Sequence, residues 1–128
     1  TWVESHNSFG TTTTGPRWAL AEGEEGGPDN RSTYILVANT SPTAAQVRVT
    51  LLFEDGTTVS RDYTLAARSR FNVAVGVEFP TARGRRFGAI VESVGATPAE
   101  LVVERAMYWD EGSVPWAAGT NAVATRIP

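Results

Sequence analysis

Apolar and polar residues alternate along most of this chain. Over residues 45–54 the odd positions are Ala45, Val47, Val49, Leu51 and Phe53, and the even ones are Gln46, Arg48, Thr50, Leu52 and Glu54. Only Leu52 breaks the alternation, so the stretch predicts a strand with one dry and one wet face. Residues 57–65 continue the pattern, with Val59, Tyr63 and Leu65 at odd positions. Asp55-Gly56 between them suggests a two-residue hairpin turn. That turn would pair Phe53 with Thr58 and send the two apolar stripes to opposite faces. A three-residue loop, Glu54-Asp55-Gly56 with Gly56 in the left-handed region, instead pairs Leu51 with Val59 and Val47 with Tyr63. Both stripes then share one face, and this loop is the expectation.

Further strands are expected over residues 18–23, 33–40, 70–77, 87–94, 101–109 and 117–125, separated by Gly, Pro, Ser and Asn signals. In residues 70–77 the inward positions are Phe71, Val73, Val75 and Val77. Residues 87–94 and 101–109 are apolar on both faces, as interior strands are. Thr-Pro-Ala-Glu at residues 97–100 suggests a single helical turn, and no longer segment has a helical period. Together these elements predict an all-β fold, an antiparallel immunoglobulin-like β-sandwich of about 7–9 strands. A closed barrel is the alternative.

Residues 15–128 are read as one sandwich domain. Trp2, Asn7 and Thr11 recur at the same spacing as Trp116, Asn121 and Thr125, so residues 1–14 resemble the closing segment of the domain itself. They are expected to form an extended edge strand or the remnant of a preceding repeat.

Composition narrows the function. The 128 residues suffice for a core without metal or disulfide support. The apolar runs fall far short of the ~18 residues that cross a bilayer, so no membrane insertion is expected. No basic-then-apolar leader opens the sequence, and any secretion signal is expected either outside it or not at all. All 11 basic residues are arginine and the net charge is −3. Apart from Arg83, Arg85 and Arg86 they are scattered, which leaves no nucleic-acid footprint. Zero cysteines exclude thiol chemistry, and the one histidine excludes a His-pair metal motif.

The remaining candidates for chemistry each have a plainer reading. His6 and Ser8 lack a Gly-x-Ser-x-Gly elbow and read as surface residues. Glu22 and Glu104 are the only carboxylates that suggest a glycosidase pair. A structural ion pair with Arg105 or Arg70 explains them better. Because neighbours on a strand face opposite ways, one of Glu104 and Arg105 must point inward, and it must find a partner there. Glu24, Glu25 and Asp29 lie in a Gly-rich loop and are weak calcium candidates, although their order matches no calcium-loop template; a solvated connection is the plainer reading. No cofactor is expected. Trp2, Trp18, Trp109 and Trp116 with Tyr34, Tyr63 and Tyr108 could form a sugar-stacking platform, Trp18, Tyr108, Trp109 and Trp116 being its ligand-binding candidates, though aromatics in sandwiches more often serve the core or an interface.

Five segments carry a family resemblance: Trp18-Ala-Leu-Ala-Glu22-Gly23, Tyr34-Ile-Leu-Val-Ala-Asn39, Phe53-Glu-Asp-Gly56, Ser69-Arg70-Phe71 and Val103-Glu-Arg-Ala-Met-Tyr-Trp109. Over roughly Trp18 to Thr125 the chain resembles an uncharacterised repeat module of bacterial secreted and cell-surface proteins. The resemblance implies an immunoglobulin-like sandwich, an extracellular or cell-surface location, and neighbouring domains of the same chain as partners. It implies no catalytic residues. The expectation is a non-catalytic spacer or interaction module, not an enzyme, with a protein or polysaccharide as a further partner. The alternative is a carbohydrate-binding module using exposed aromatic residues.

Overall fold

The computed structural model describes residues 2–128. Nine strands form two antiparallel sheets packed face to face. They are β1 (Arg17–Glu24), β2 (Ser32–Asn39), β3 (Ala45–Phe53), β4 (Thr58–Leu65), β5 (Ser69–Ala74), β6 (Arg86–Ser93), β7 (Leu101–Glu111), β8 (Val114–Val123) and β9 (Thr125–Arg126). One sheet has the order β4-β3-β6-β1-β9 and the other β5-β2-β7-β8. The fold is an all-β sandwich, as the alternation predicts.

Strand β3 buries Ala45, Val47, Val49, Leu51 and Phe53 and exposes or half-exposes the residues between them. Its hairpin with β4 has the expected register, with Val47 opposite Tyr63 and Leu51 opposite Val59. The loop is the three-residue one: Phe53 N–H donates to Thr57 O, Gly56 N–H donates to Phe53 O, and Gly56 has φ 85°. The other half of the core comes from Ile35 and Val37 on β2, Val73 on β5, and Leu101 and Val103 on β7. Strands β6 and β7 are interior in their sheets, which accounts for their apolar character on both faces.

Three expected elements differ. The strand expected to reach Val77 ends at Ala74, and a helical turn, α1 (Val75–Glu78), follows. Val75 and Phe79 are both buried, whereas Val77 is 69% exposed. A spacing of four residues puts Val75 and Phe79 on one side of a helical turn, and burying both outweighs continuing the strand. Residues 97–100 form no helix. Their backbone is held open by cross-links to other segments: Ala99 N–H donates to Ser93 Oγ, Glu100 N–H to Ser41 Oγ, and Thr40 N–H to Glu100 O.

The third difference is at the N-terminus. Thr1 lies outside the described residues, and residues 2–14 contain no strand, so of the two readings of this segment, edge strand or remnant of a preceding repeat, the edge strand is not formed over residues 2–14. The segment is held instead by side chains. Asn121 Nδ2 donates to Ser8 Oγ, and the His6 ring lies 5.5 Å from that of Tyr108. Without backbone pairing it forms a strap beside β8 rather than a further strand of the sheet.

Candidate functional site

Strand β1 carries a bulge between Leu20 and Gly23 in its pairing with β6. An extra residue on one strand re-aims its neighbours, and Glu22 projects here with its side chain 73% exposed. Across the sandwich, Arg105 is the inward member of the Glu104–Arg105 pair, its side chain only 8% exposed. Arg105 Nη1 lies 3.6 Å from the Glu22 carboxylate and 3.5 Å from the Glu22 carbonyl. The inward charge therefore has the partner that local parity demands. Arg105 Nε has no hydrogen-bond partner. Glu104 and Arg70 stay outside this pair. Among the described residues Glu104 makes no ion pair, and Arg70 donates to Asn72 Oδ1 at 2.6 Å. Glu22 and Glu104 also line different depressions of the surface, so they do not face one cleft as paired glycosidase carboxylates would.

Arginines neutralise two of the three acidic candidates. Glu24 pairs with Arg86 at 3.2 Å and Arg31 at 3.8 Å, and Asp29 pairs with Arg31 at 3.5 Å. Glu25 turns away into the protein, where one carboxylate oxygen accepts the Thr33 N–H at 2.5 Å. The carboxylates weighed as calcium ligands are thus engaged separately. Among the described residues no group of three or more Asp, Glu, His or Cys side chains is placed to hold a metal.

Burial of the Glu25 carboxyl raises its pKa above the ordinary 4.5, against the opposing pull of the Thr33 N–H and the Arg83 charge. A raised folded-state value means the native protein keeps this proton after the unfolded chain has lost it. Its contribution to stability therefore falls as pH rises from about 4.5 through the raised value. We expect Glu25→Gln to flatten that decline, because an amide keeps an acceptor for Thr33 N–H and carries no charge. Thermal melts of both proteins from pH 4 to pH 8 check this. Parallel curves would show that Glu25 ionisation is not coupled to folding.

On the outer face of the four-stranded sheet, the fold gathers an aromatic cluster. Tyr34 on β2, Tyr108 on β7 and Trp116 on β8 come together. Tyr108 and Trp116 stack with centroids 4.8 Å apart and planes 14° from parallel. Tyr34 meets both edge-on, at 6.3 Å and 5.9 Å. Gly119 sits opposite Tyr108, where a Cβ would come within 2.9 Å of the tyrosine ring. Trp116 reaches its position through a left-handed backbone, φ 51°, unusual for a bulky residue. Its N–H donates to Asp110 Oδ1, and Asp110 Oδ2 accepts from Asn30 Nδ2. Trp116 remains 45% exposed.

The four aromatics read from the sequence thus separate. Tyr108 and Trp116 belong to this cluster. Trp109 is capped by Arg31, whose guanidinium carbon lies 4.3 Å from the ring centroid. Trp18 is corrected: it is 2% exposed, packs in the core and donates its indole N–H to Gly15 O, so its ring offers no face to a ligand. The sequence offers Tyr34 as a platform aromatic but does not mark His6 as a neighbour of Tyr108. Tyr34 alternates with core residues on β2, and that alternation marks it as outward. Nothing in the local sequence says that three separate strands and the strap converge there.

No family model matches the chain, and no curated protein matches it. Solved structures do. The crystal structure of Thermotoga maritima 1070 superposes with a TM-score of 0.73 at 15% identity, over 88% of this chain and 95% of that one. The Anabaena sensory rhodopsin transducer superposes with a TM-score of 0.56 at 22% identity, over 69% of this chain and 92% of that one. At these identities the likeness establishes a shared β fold.

Proposed function

We propose that this chain is a non-catalytic, immunoglobulin-like module of a larger secreted or cell-surface protein, spacing or joining neighbouring domains through the β8 side of its four-stranded sheet. One observation carries the reading. Five of the eight large exposed hydrophobics, Trp2, Val3, Phe9, Val114 and Trp116, lie on β8 or on the strap beside it. Scattered exposed apolar residues are ordinary, but a concentration of this kind marks a contact surface. Hydrogen exchange tests it. In the full-length protein, amides of β8 and residues 2–14 should exchange more slowly than in the isolated module, while β4 at the far edge stays unchanged. Equal exchange in β8 would sink the reading.

A carbohydrate-binding module is the second reading, and the half-exposed Trp116 ring favours it. The face of Tyr108 that stacks on Trp116 is already occupied, so Trp116 is left as the main stacking surface for a sugar. Tryptophan fluorescence titrations and pull-downs on soluble and insoluble polysaccharides separate the two. Saturable binding that Trp116→Ala abolishes would establish the second reading. We expect no saturable signal.

A further inference from the structure

Two open sheets have four edge strands, and three of them carry charge. Strand β4 has Arg61 and Asp62, β5 has Arg70, and β9 is two residues long and ends in Arg126. Strand β8 differs. Its ten residues, Val-Pro-Trp-Ala-Ala-Gly-Thr-Asn-Ala-Val, include no charged side chain. Charges, prolines and bulges are the usual devices that stop an edge from pairing with another chain. Here Pro115 and the bulge opposite Trp109 and Glu111 guard only the hairpin end. From Ala118 to Val123 the pairing with β7 is regular, and no backbone strand covers the other side. The strap approaches through His6 and Ser8 but leaves that edge without a ladder partner. It turns Trp2, Val3 and Phe9 to solvent, at 96%, 61% and 95% exposure.

We propose that β8 pairs antiparallel with β8 of a second copy of this chain, joining two four-stranded sheets into one, with Trp2 and Phe9 of both straps covering the seam. The choice of a second copy follows from charge and symmetry. Across a two-fold axis the same strand meets itself, so a lone charge at the axis, such as Arg70 on β5, would face its own copy, and an uncharged edge avoids this in every register. Strand β8 is the one edge here that satisfies this over its whole length. The exposed aromatics supply the apolar cover that the two-stranded seam needs on its outer side. The inference rests on the reading of β8 as a contact surface and assigns its free backbone edge to a second copy, beside the neighbouring domains.

Sedimentation of the intact chain across roughly 1 µM to 1 mM tests the pairing. The expected result is a reversible monomer–dimer equilibrium. Trp2→Ser with Phe9→Ser should weaken it at least tenfold, and so should Ala117→Lys, which places a charge on the seam. The strap residues are almost fully exposed, so the double variant should melt like the parent and keep the test free of folding defects. A chain that stays monomeric throughout the range, or a dimer that both variants leave unaltered, would overturn the proposal. With the isolated module held at a concentration where it is monomeric, the hydrogen-exchange comparison with the full-length protein decides the broader reading on its own.

Discussion

Trp18→Ala should cost about 3–5 kcal/mol of folding stability, the usual range for deleting a large buried aromatic. Domains of this kind are stable by only about 5–15 kcal/mol in total, so the variant should sit near its unfolding midpoint in mild urea. The reason lies in where the ring sits. Trp18 is 2% exposed among Val91, Leu101 and the other core side chains, and its indole N–H donates to Gly15 O at 2.9 Å. Trp18→Phe should lose much less, about 1–2 kcal/mol, because most of the apolar volume stays. The carbonyl also keeps another donor, the Leu101 N–H at 2.8 Å. The contrast with Trp116→Ala, expected to cost below about 1 kcal/mol at a half-exposed site, separates core from surface tryptophan. Urea midpoints at fixed m-value check the series, and a Trp18→Ala loss as small as that of Trp116→Ala would contradict the core assignment.

Asn39→Leu should cost about 2–4 kcal/mol despite similar volume, because Asn39 is a buried polar hub. It is 1% exposed. Its amide N–H groups donate to Thr43 O at 2.9 Å and Ala66 O at 3.1 Å, and its Oδ1 accepts from Ser41 N–H at 3.0 Å. These bonds tie the end of β2 to the β2–β3 turn and to the β4–β5 connection. Leucine leaves one donor and two acceptors of the main chain without their partner in a buried setting, and each costs about 1 kcal/mol or more. Asn39→Asp is the sharper control. It keeps the Ser41 bond but sets a carboxylate against two carbonyl oxygens, so its loss should exceed that of leucine at neutral pH and shrink in acid. An aspartate variant that is as stable as the parent at neutral pH would refute the hub.

Side-chain parity carried most of the fold. The β3–β4 loop length follows from requiring Phe53, Leu51 and Val59 on one face, and the three-residue loop is what forms. Parity failed where a different period served burial better. Val75 and Val77 look like strand alternation, yet Val75 and Phe79 are both needed in the core, and only a helical turn places both there. The helical turn expected at residues 97–100 failed for the opposite reason. Its backbone finds partners on Ser41, Ser93 and Thr40, which local propensity does not register.

The sequence by itself determined most strand positions, the hairpin register and the need for a partner beside whichever of Glu104 and Arg105 faces inward, because each follows from two-residue periodicity and the cost of burying a charge. It did not disclose what Asn39, Glu22 and Tyr108 touch. The tertiary structure decided which tryptophan is core and which is surface, and it drew Tyr34, Tyr108 and Trp116 into one cluster. It also left β8 as an uncharged edge. These outcomes depend on which strands become neighbours and which stay at the margin of a sheet. Alternation along a chain specifies the face a residue takes, but not the strand that lies beside it.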